Sequence, residues 1–400
     1  MDLTFNSTLI TSLIGILVLV GYGAISFYLY IRRVEKVFEG FRTPPYHWLL
    51  GSLAKAKLRA KAVNRERVEV YETMSLCTFE IILKCAFSCD RDIQKSGDPY
   101  AETVERMTAS IFYRIIHPYL LFDFLYRISP AGRQFKKDCD FVHSYAEEII
   151  NNRRKALDDG EKVGGKRYVD FLDVLLTARD EEGVGLSRLE IRNEVDSFLS
   201  AGHETTASTA LWVLYSLAKN PDYQLKCQQE VDQVLEGRDS DVIKWSDLPK
   251  FEFLTQCIKE AMRLHGPIPI ASRDVEAGFE LGGRKLPEGT VVQLNMVALH
   301  HKESVWGLDH MEFKPERFSP ENVSKMSPFQ FVPFSAGQRN CIGQHFAMNE
   351  EKVLLAKMLR NFTFRLDPTH VVKQTYSGVM RTVDGMYVYV EERNVRTAEE

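Results

Sequence analysis

Residues 334–343, FSAGQRNCIG, place one cysteine, Cys341, between Gly337 and Gly343 and two residues after Arg339. A disulfide partner or a buried structural thiol needs no such surroundings. A thiolate that must be stabilised, approached closely and kept accessible would use each of them. Because the reference pKa of a cysteine thiol is about 8.5, a ligating thiolate needs help to stay ionised. The stretch therefore predicts a thiolate ligand at Cys341.

The neighbours of Cys341 suit a large planar cofactor. A helix predicted from Cys341 to about Asn361 would lay the positive end of its dipole on the sulfur. The two glycines remove side chains where the cofactor would come within contact distance. Arg339 offers a fork suited to a carboxylate such as a haem propionate, and Phe334 would keep water from the thiolate. Each feature alone is common, but the combination F-x-x-G-x-R-x-C-x-G is highly specific.

The composition is that of an ordinary globular protein. The 400 residues are 44% hydrophobic and 26% charged, which argues against disorder. A net charge of −4 and a pI of about 6.3, with no basic patch, argue against a nucleic-acid partner. The seven cysteines are odd in number and form no CxxC pair, which favours a reducing compartment over a disulfide framework.

The N-terminus predicts a retained membrane anchor. Residues 3–31 carry no charge, and LITSLIGILVLVGYGAISFYLYI, residues 9–31, is long enough to cross a hydrocarbon core of about 30 Å. Arg32, Arg33 and Lys36 follow directly, so everything after residue 33 should face the cytosol. The alternative is a buried helix of the globular part. We predict an anchor over 1–33, a Pro-rich linker and junction over 34–66, and a catalytic domain over 67–400.

The rest of the chain predicts a mainly α fold with a small β region. Residues from about 68 to 265 are typical of helices, and the clearest one begins at a capping box, Ser187 with Glu190, and ends before Pro221. Its sides are apolar nearly all round, so it should pass through the core. Near the C-terminal third, Gly282-Gly283 predicts a hairpin, and MYVYVEE alternates as a strand does.

Two further motifs place polar residues on predicted helices. In AGHETT, Glu204 and Thr205 lie inside an apolar helix, where unpaired polar groups cost energy. Thr205 would either bond back to its own helix or serve chemistry. In EAMR, Glu260 and Arg263 share one helix face and can pair, although an exposed pair of this kind contributes under about 1 kcal/mol.

Zinc is a weaker alternative for Cys341. Four histidines are candidate ligands beside it, His300, His301, His310 and His345, but only Cys341 and His345 have a recognised ligand spacing.

The cysteine stretch resembles the haem-binding loop of the cytochrome P450 monooxygenases, and the other motifs follow in that family's order. The resemblance implies the truncated P450 fold and haem b, with Cys341 as the axial thiolate of its iron. It implies that Glu260, Arg263 and Arg317 interlock behind the haem and that Arg273 meets a propionate. It also implies that Thr205 and Glu204 pass protons to dioxygen.

The stretches PPYHWLLG, GHETTAS and FSAGQRNCIG resemble the family-four branch, which includes fatty-acid ω-hydroxylases. That branch often has a glutamate that esterifies the haem where this chain has Ala201, so no ester is expected. The family also carries most of a lobe, with a W-x-x-x-R, between HWLLGSL (47–53) and RVEVYE (67–72). Here fewer than about twenty residues connect them, too few for a lobe, as in a shortened splice form or incomplete gene model.

The resemblance implies a monooxygenase of lipid-like substrates in the endoplasmic reticulum membrane. Dioxygen, an NADPH-dependent cytochrome P450 reductase, cytochrome b5 and membrane lipid are the expected partners. The alternative is a catalytically impaired, membrane-anchored protein that binds haem poorly and competes for the reductase.

Overall fold

A computed structural model describes residues 61–62, 66–160, 169–238 and 240–393. The predicted anchor over 1–33 and most of the linker over 34–66 lie outside these residues. Within the described ranges, no helix combines the length and apolar character needed to cross a membrane.

Helices make up most of the described chain, and the sequence-predicted mainly α class is correct. Those before the long central helix are α1 Val70–Phe87, α2 Ile93–Ser96, α3 Pro99–Ile116, α4 Asp123–Ile128, α5 Pro130–Asp158 and α6 Phe171–Thr177. The remainder are α7 Arg188–Lys219, α8 Pro221–Val234, α9 Glu252–His265, α10 Met296–His300, α11 Glu303–Trp306, α12 Pro320–Val323 and α13 Gln344–Asn361. Single 3₁₀ turns cover Pro118–Leu121, Trp245–Lys250, Pro315–Phe318 and Gly337–Arg339.

The central helix α7 begins and ends as the sequence predicts. The Ser187 hydroxyl accepts from the Glu190 amide at 3.2 Å, and the Glu190 carboxylate accepts from the Ser187 amide at 2.8 Å. The helix stops at Lys219, before Asn220 and Pro221. Its first half packs in one apolar cluster and its second half in another, so it passes through the core as expected.

The small β region consists of short antiparallel pairings. The strands are β1 Arg67–Glu69, β2 Ile270–Asp274, β3 Glu280–Leu281, β4 Arg284–Lys285, β5 Val291–Asn295, β6 Phe362–Leu366, β7 Gln374–Tyr376, β8 Met380–Thr382 and β9 Tyr387–Glu392. A three-stranded sheet has the order β1-β9-β6, while β2 pairs with β5, β3 with β4 and β7 with β8. The predicted hairpin turn is present, because Gly282 and Gly283 join β3 to β4 with φ of 58° and 76°.

Helix α1 lies against the middle of α7. The Thr78 hydroxyl donates to the His203 carbonyl at 3.0 Å, which ties the two helices together. A Cβ on Gly202 would lie 3.0 Å from the Ile82 side chain. A glycine inside a helix costs about 1 kcal/mol relative to alanine, and the close approach of Ile82 offsets that cost.

Candidate cofactor site

Backbone hydrogen bonds fold residues 334–341 into a closed loop. The Cys341 amide donates to the Phe334 carbonyl at 2.9 Å, and the Asn340 amide donates to the Gly337 carbonyl at 3.2 Å. Ser335 and Gly337 have φ of 62° and 80°, a left-handed region that suits glycine and strains other residues. The glycine at 337 therefore avoids a backbone strain that Ser335 bears.

The loop presents Cys341 to the surface. All seven cysteines are free thiols, and Cys341 is the one that is exposed; Cys77, Cys85, Cys227 and Cys257 are buried. The structure corrects one expectation, since α13 begins at Gln344 with Gly343 as its N-cap and not at Cys341. The cause is a turn, in which the Gln344 amide reaches the Cys341 carbonyl at 3.4 Å before helical bonding starts.

The chemistry of this loop fits a haem. The Cys341 thiol forms no disulfide. Beside it, Ile342 is 73% exposed, an apolar side chain next to a potential metal ligand. A Cβ added at Gly337 would meet nothing within 4 Å, so space is open on that side of the loop. A soft ligand beside an apolar, side-chain-poor surface is what a flat, apolar iron cofactor needs.

The other residues assigned to the cofactor differ in their surroundings. Arg339 and Arg273 are both exposed, the first in the loop and the second on β2 opposite Val292. The Arg273 guanidinium donates only to the neighbouring Ser272 carbonyl among its described bonds, at 2.8 Å. Phe334 is half-buried and packs against the larger apolar cluster. The two arginines are therefore available to carboxylates, while Phe334 anchors the loop to the core.

Behind the loop, Glu260 and Arg263 on α9 form a fully buried pair. Arg263 Nε donates to Glu260 Oε2 and Nη2 to Glu260 Oε1, both at 2.8 Å, with both side chains 0% exposed. The pair predicted from EAMR is present, and the alternative of an exposed surface pair is wrong. Burial raises the pKa of Glu260, and the Arg263 fork opposes that rise.

Long-range contacts extend this pair into a network. Arg317 Nε lies 3.5 Å from Glu260 Oε1, so the two arginines and the glutamate meet as the resemblance implied. The Lys314 amide also donates to Glu260, at 2.9 Å. Arg263 donates further to the carbonyls of His300 and His310, at 2.8 and 2.7 Å. Through these bonds α9 holds the segment that leads to the cysteine loop.

On α7, Thr205 and Glu204 have different partners. The Thr205 hydroxyl donates to the Ala201 carbonyl at 2.8 Å, which is the back-bonded arrangement considered above. Glu204 is 4% exposed and forms an ion pair with Arg381 of β8. Burial raises the pKa of Glu204 to about 7, while Arg381 lowers it and Glu105 raises it. Glu204 therefore titrates near neutral pH.

Arg381 is a partner of Glu204 that the sequence does not predict. It lies 177 residues from Glu204, and nothing in its local sequence indicates a buried partner. The zinc alternative gains no support, since the described residues contain no group of three or more potential ligands.

Comparison with known proteins agrees with this geometry. The family model described as cytochrome P450 matches residues 49–389. The chain belongs to the cytochrome P450 family. P450 proteins bind haem b through a cysteine thiolate, and Cys341 lies within the matched residues.

Several mammalian P450 proteins are similar to this chain. Cytochrome P450 4F6 of Rattus norvegicus is 40% identical over 348 residues, which are 85% of this chain and 64% of the relative. Cytochrome P450 4F12 of Homo sapiens is 42% identical, over 82% of this chain and 64% of the relative. Leukotriene-B4 omega-hydroxylase 3 of Mus musculus is 40% identical, over 81% and 63%. The chain thus spans less than two thirds of the length of these P450 relatives.

Proposed function

We propose that this chain is a haem-thiolate monooxygenase that inserts one oxygen atom of dioxygen into a lipophilic substrate. The observation that carries the proposal is the exposed, free thiol of Cys341 in a loop closed by its own backbone. Bound haem would supply the oxidative chemistry. The protein would provide the iron ligand, orient the substrate and deliver protons.

Particular residues are assigned to holding the iron, binding the propionates and excluding water. Cys341 would hold the iron, and Arg339 and Arg273 would bind the propionates through charge-assisted hydrogen bonds. Gly337 and Gly343 lack side chains and would let the cofactor come close to the loop. Phe334 would exclude water beneath the thiolate.

Proton supply would come from α7. Thr205 and Glu204 are an alcohol and an acid on consecutive positions, and a group that titrates near pH 7 is suited to proton transfer. Behind the cofactor, Glu260, Arg263 and Arg317 would support the loop without touching substrate. These roles rest on the match of motif positions and on the contacts described above.

The name of one relative supports a proposal for the substrate class. One of them is named a leukotriene-B4 omega-hydroxylase, so a fatty-acid-like substrate is the natural hypothesis for this chain. Ala201 offers no carboxylate for an ester to the haem.

We further propose a single-pass protein of the endoplasmic reticulum membrane with a cytosolic catalytic domain. The charge-free stretch over 3–31 and the basic residues after it support this topology. Electrons would come from an NADPH-dependent cytochrome P450 reductase, with cytochrome b5 as a second donor.

A competing hypothesis is that the shortened chain binds haem poorly and is catalytically impaired. Each Å² of apolar cofactor surface left uncovered forfeits roughly 25 cal/mol, and a lost propionate contact costs about 1.5–3 kcal/mol. The matched span is 64% of the relative's length, so part of what covers the cofactor in the relatives has no counterpart in the match.

The test is to titrate haemin into the purified chain and to record a carbon-monoxide difference spectrum of the reduced complex. A thiolate-type Soret band that Cys341→Ser abolishes and Cys139→Ser preserves would support the monooxygenase. A band that survives Cys341→Ser would refute the ligand assignment. A second version of the chain carries a relative's longer segment between residues 53 and 67. If only that version binds haem, the chain is the impaired form.

A further inference from the structure

Arg381 is a buried cation shared by two helices. Its guanidinium is 6% exposed and forms ion pairs with Glu204 of α7 and with Glu105 of α3. The two carboxylates lie in different surroundings, since the Glu204 side chain is 5% exposed and the Glu105 side chain is 53% exposed. One buried arginine thus connects an interior acid to an acid that water reaches.

The hairpin of β7 and β8 holds Arg381 in place against α7. The Ser208 hydroxyl donates to the Met380 carbonyl at 2.6 Å, and the indole of Trp212 donates to the same oxygen at 3.4 Å. The Met380 amide donates to the Pro267 carbonyl at 2.9 Å. Three hydrogen bonds therefore hold the backbone of Met380, the residue before Arg381. They limit the positions that the Arg381 guanidinium can take.

The same hairpin also contacts α3. The rings of Phe112 and Tyr376 meet edge to face with centroids 4.6 Å apart. At the tip, a Cβ on Gly378 would lie 1.8 Å from the Thr108 side chain, so only glycine fits. The hairpin that carries Arg381 therefore packs against both α7 and α3. This packing fixes the position of Arg381 relative to its two partners.

The groups that face Glu204 come from three other elements. They are Arg381 of β8, Glu105 of α3, and Tyr71 of α1, whose ring centroid lies 5.0 Å from the guanidinium carbon. Burial raises the pKa of Tyr71, so this phenol stays neutral. Glu204 itself completes the set on α7. Arg381 is the single cation among them, and both carboxylates depend on it.

We propose that Arg381 is a positioning residue for Glu204: it holds the buried carboxylate by an ion pair, and the competing charge of Glu105 sets how strongly it does so. This inference rests on the proposed function, because Glu204 matters for proton delivery only if the chain activates dioxygen. A change at the half-exposed Glu105 would then alter the proton affinity of an acid buried beside Thr205.

The sign of the pH dependence follows from the two states of Glu204. Its pKa of about 7 in the fold exceeds its ordinary value of 4.5, so the folded chain binds the proton more tightly than the unfolded chain. The free energy of unfolding therefore falls as the pH rises from about 4.5 to about 7, and Glu204 adds no further slope above that range. Glu204→Gln should remove this component of the profile.

The experiment measures that titration in the haem-free chain. Unfolding by urea is followed across this pH range for each variant and for the same variant carrying Glu204→Gln, and the difference gives the Glu204 midpoint. Infrared difference spectra of the protonated carboxyl provide a second readout. Arg381→Gln should raise the midpoint by about 1–3 pH units, since a cation within a few ångströms lowers a carboxyl pKa by that much. Glu105→Gln should lower it, and Arg381→Lys should restore most of the original value.

A matched control is Arg365→Gln, which breaks the exposed pair of Arg365 with Glu391 on adjacent strands of the three-stranded sheet. It should leave the Glu204 midpoint unchanged. If Arg381→Gln fails to fold, Glu105→Gln still decides the matter, because it keeps the buried pair. A midpoint that moves with neither substitution would overturn the proposal.

A second arm separates this inference from the proposed function. In the haem-loaded chain with reductase, Glu105→Gln should change the peroxide formed per NADPH and shift its pH profile. If the midpoint shifts in the haem-free chain but no turnover occurs, the proposed function fails and the control of Glu204 by Arg381 stands. If turnover occurs without any midpoint shift, the proposed function stands and this inference fails.

Discussion

Replacing Arg263 by methionine should destabilise the fold more than any surface substitution. Arg263 is buried and donates five hydrogen bonds, two to Glu260 and three to the carbonyls of His300, His310 and Glu312. Methionine fills similar space but donates none of them. Glu260 would keep only the Lys314 amide at 2.9 Å and Arg317 at 3.5 Å.

The loss of unfolding free energy follows from leaving the buried Glu260 carboxylate without its main partner, Arg263. Removing one member of a buried ion pair costs about 3–5 kcal/mol, whereas whole domains are stable by about 5–15 kcal/mol. Arg263→Met should therefore remove about a fifth or more of the free energy of unfolding. Urea unfolding followed by tryptophan fluorescence measures it, and Trp306 reports locally because its ring lies 4.9 Å from the guanidinium.

Two further variants sharpen this test. Lys325→Ala breaks the exposed pair with Glu321 and should cost under about 1 kcal/mol. The double variant Glu260→Met with Arg263→Met removes both charges, so it should cost less than Arg263→Met alone. If Arg263→Met costs no more than Lys325→Ala, or if the double variant costs the sum of its parts, the reasoning about the buried charge is refuted.

Three other outcomes are expected. Thr205→Ala should leave haem binding intact and divert reducing equivalents to peroxide, with Thr205→Ser as the control; an unchanged peroxide yield per NADPH would leave Thr205 with only its bond to Ala201. Gly337→Ala should cost about 1–2 kcal/mol in urea unfolding because its φ is 80°, and no measurable loss would mean that the loop adopts another conformation. Deleting residues 1–31 should release part of the chain from membranes into a high-salt wash, and protease added to sealed microsomes should digest the remainder; protection of the remainder would contradict the cytosolic orientation.

Local patterns predicted the elements that depend on neighbouring residues. The Ser187 capping box, the Gly282-Gly283 turn and the pairing of Glu260 with Arg263 are all present in the structure. Each involves groups within four residues of one another, so spacing and backbone preference suffice to predict it. The start of α13 was predicted three residues too early, because a turn at Cys341 satisfies the same carbonyl that a helix would use.

The sequence by itself determined the family resemblance, the position of the cysteine loop and the long helix through the core. Only the tertiary structure decided that Cys341 is exposed while four other cysteines are buried, and that the pair on α9 is buried and reaches Arg317. It alone decided that Glu204 pairs with Arg381 across 177 residues. The physical reason is that burial and long-range pairing depend on how every element packs, so the cost of a buried charge and the partner that offsets it arise together only in the folded chain.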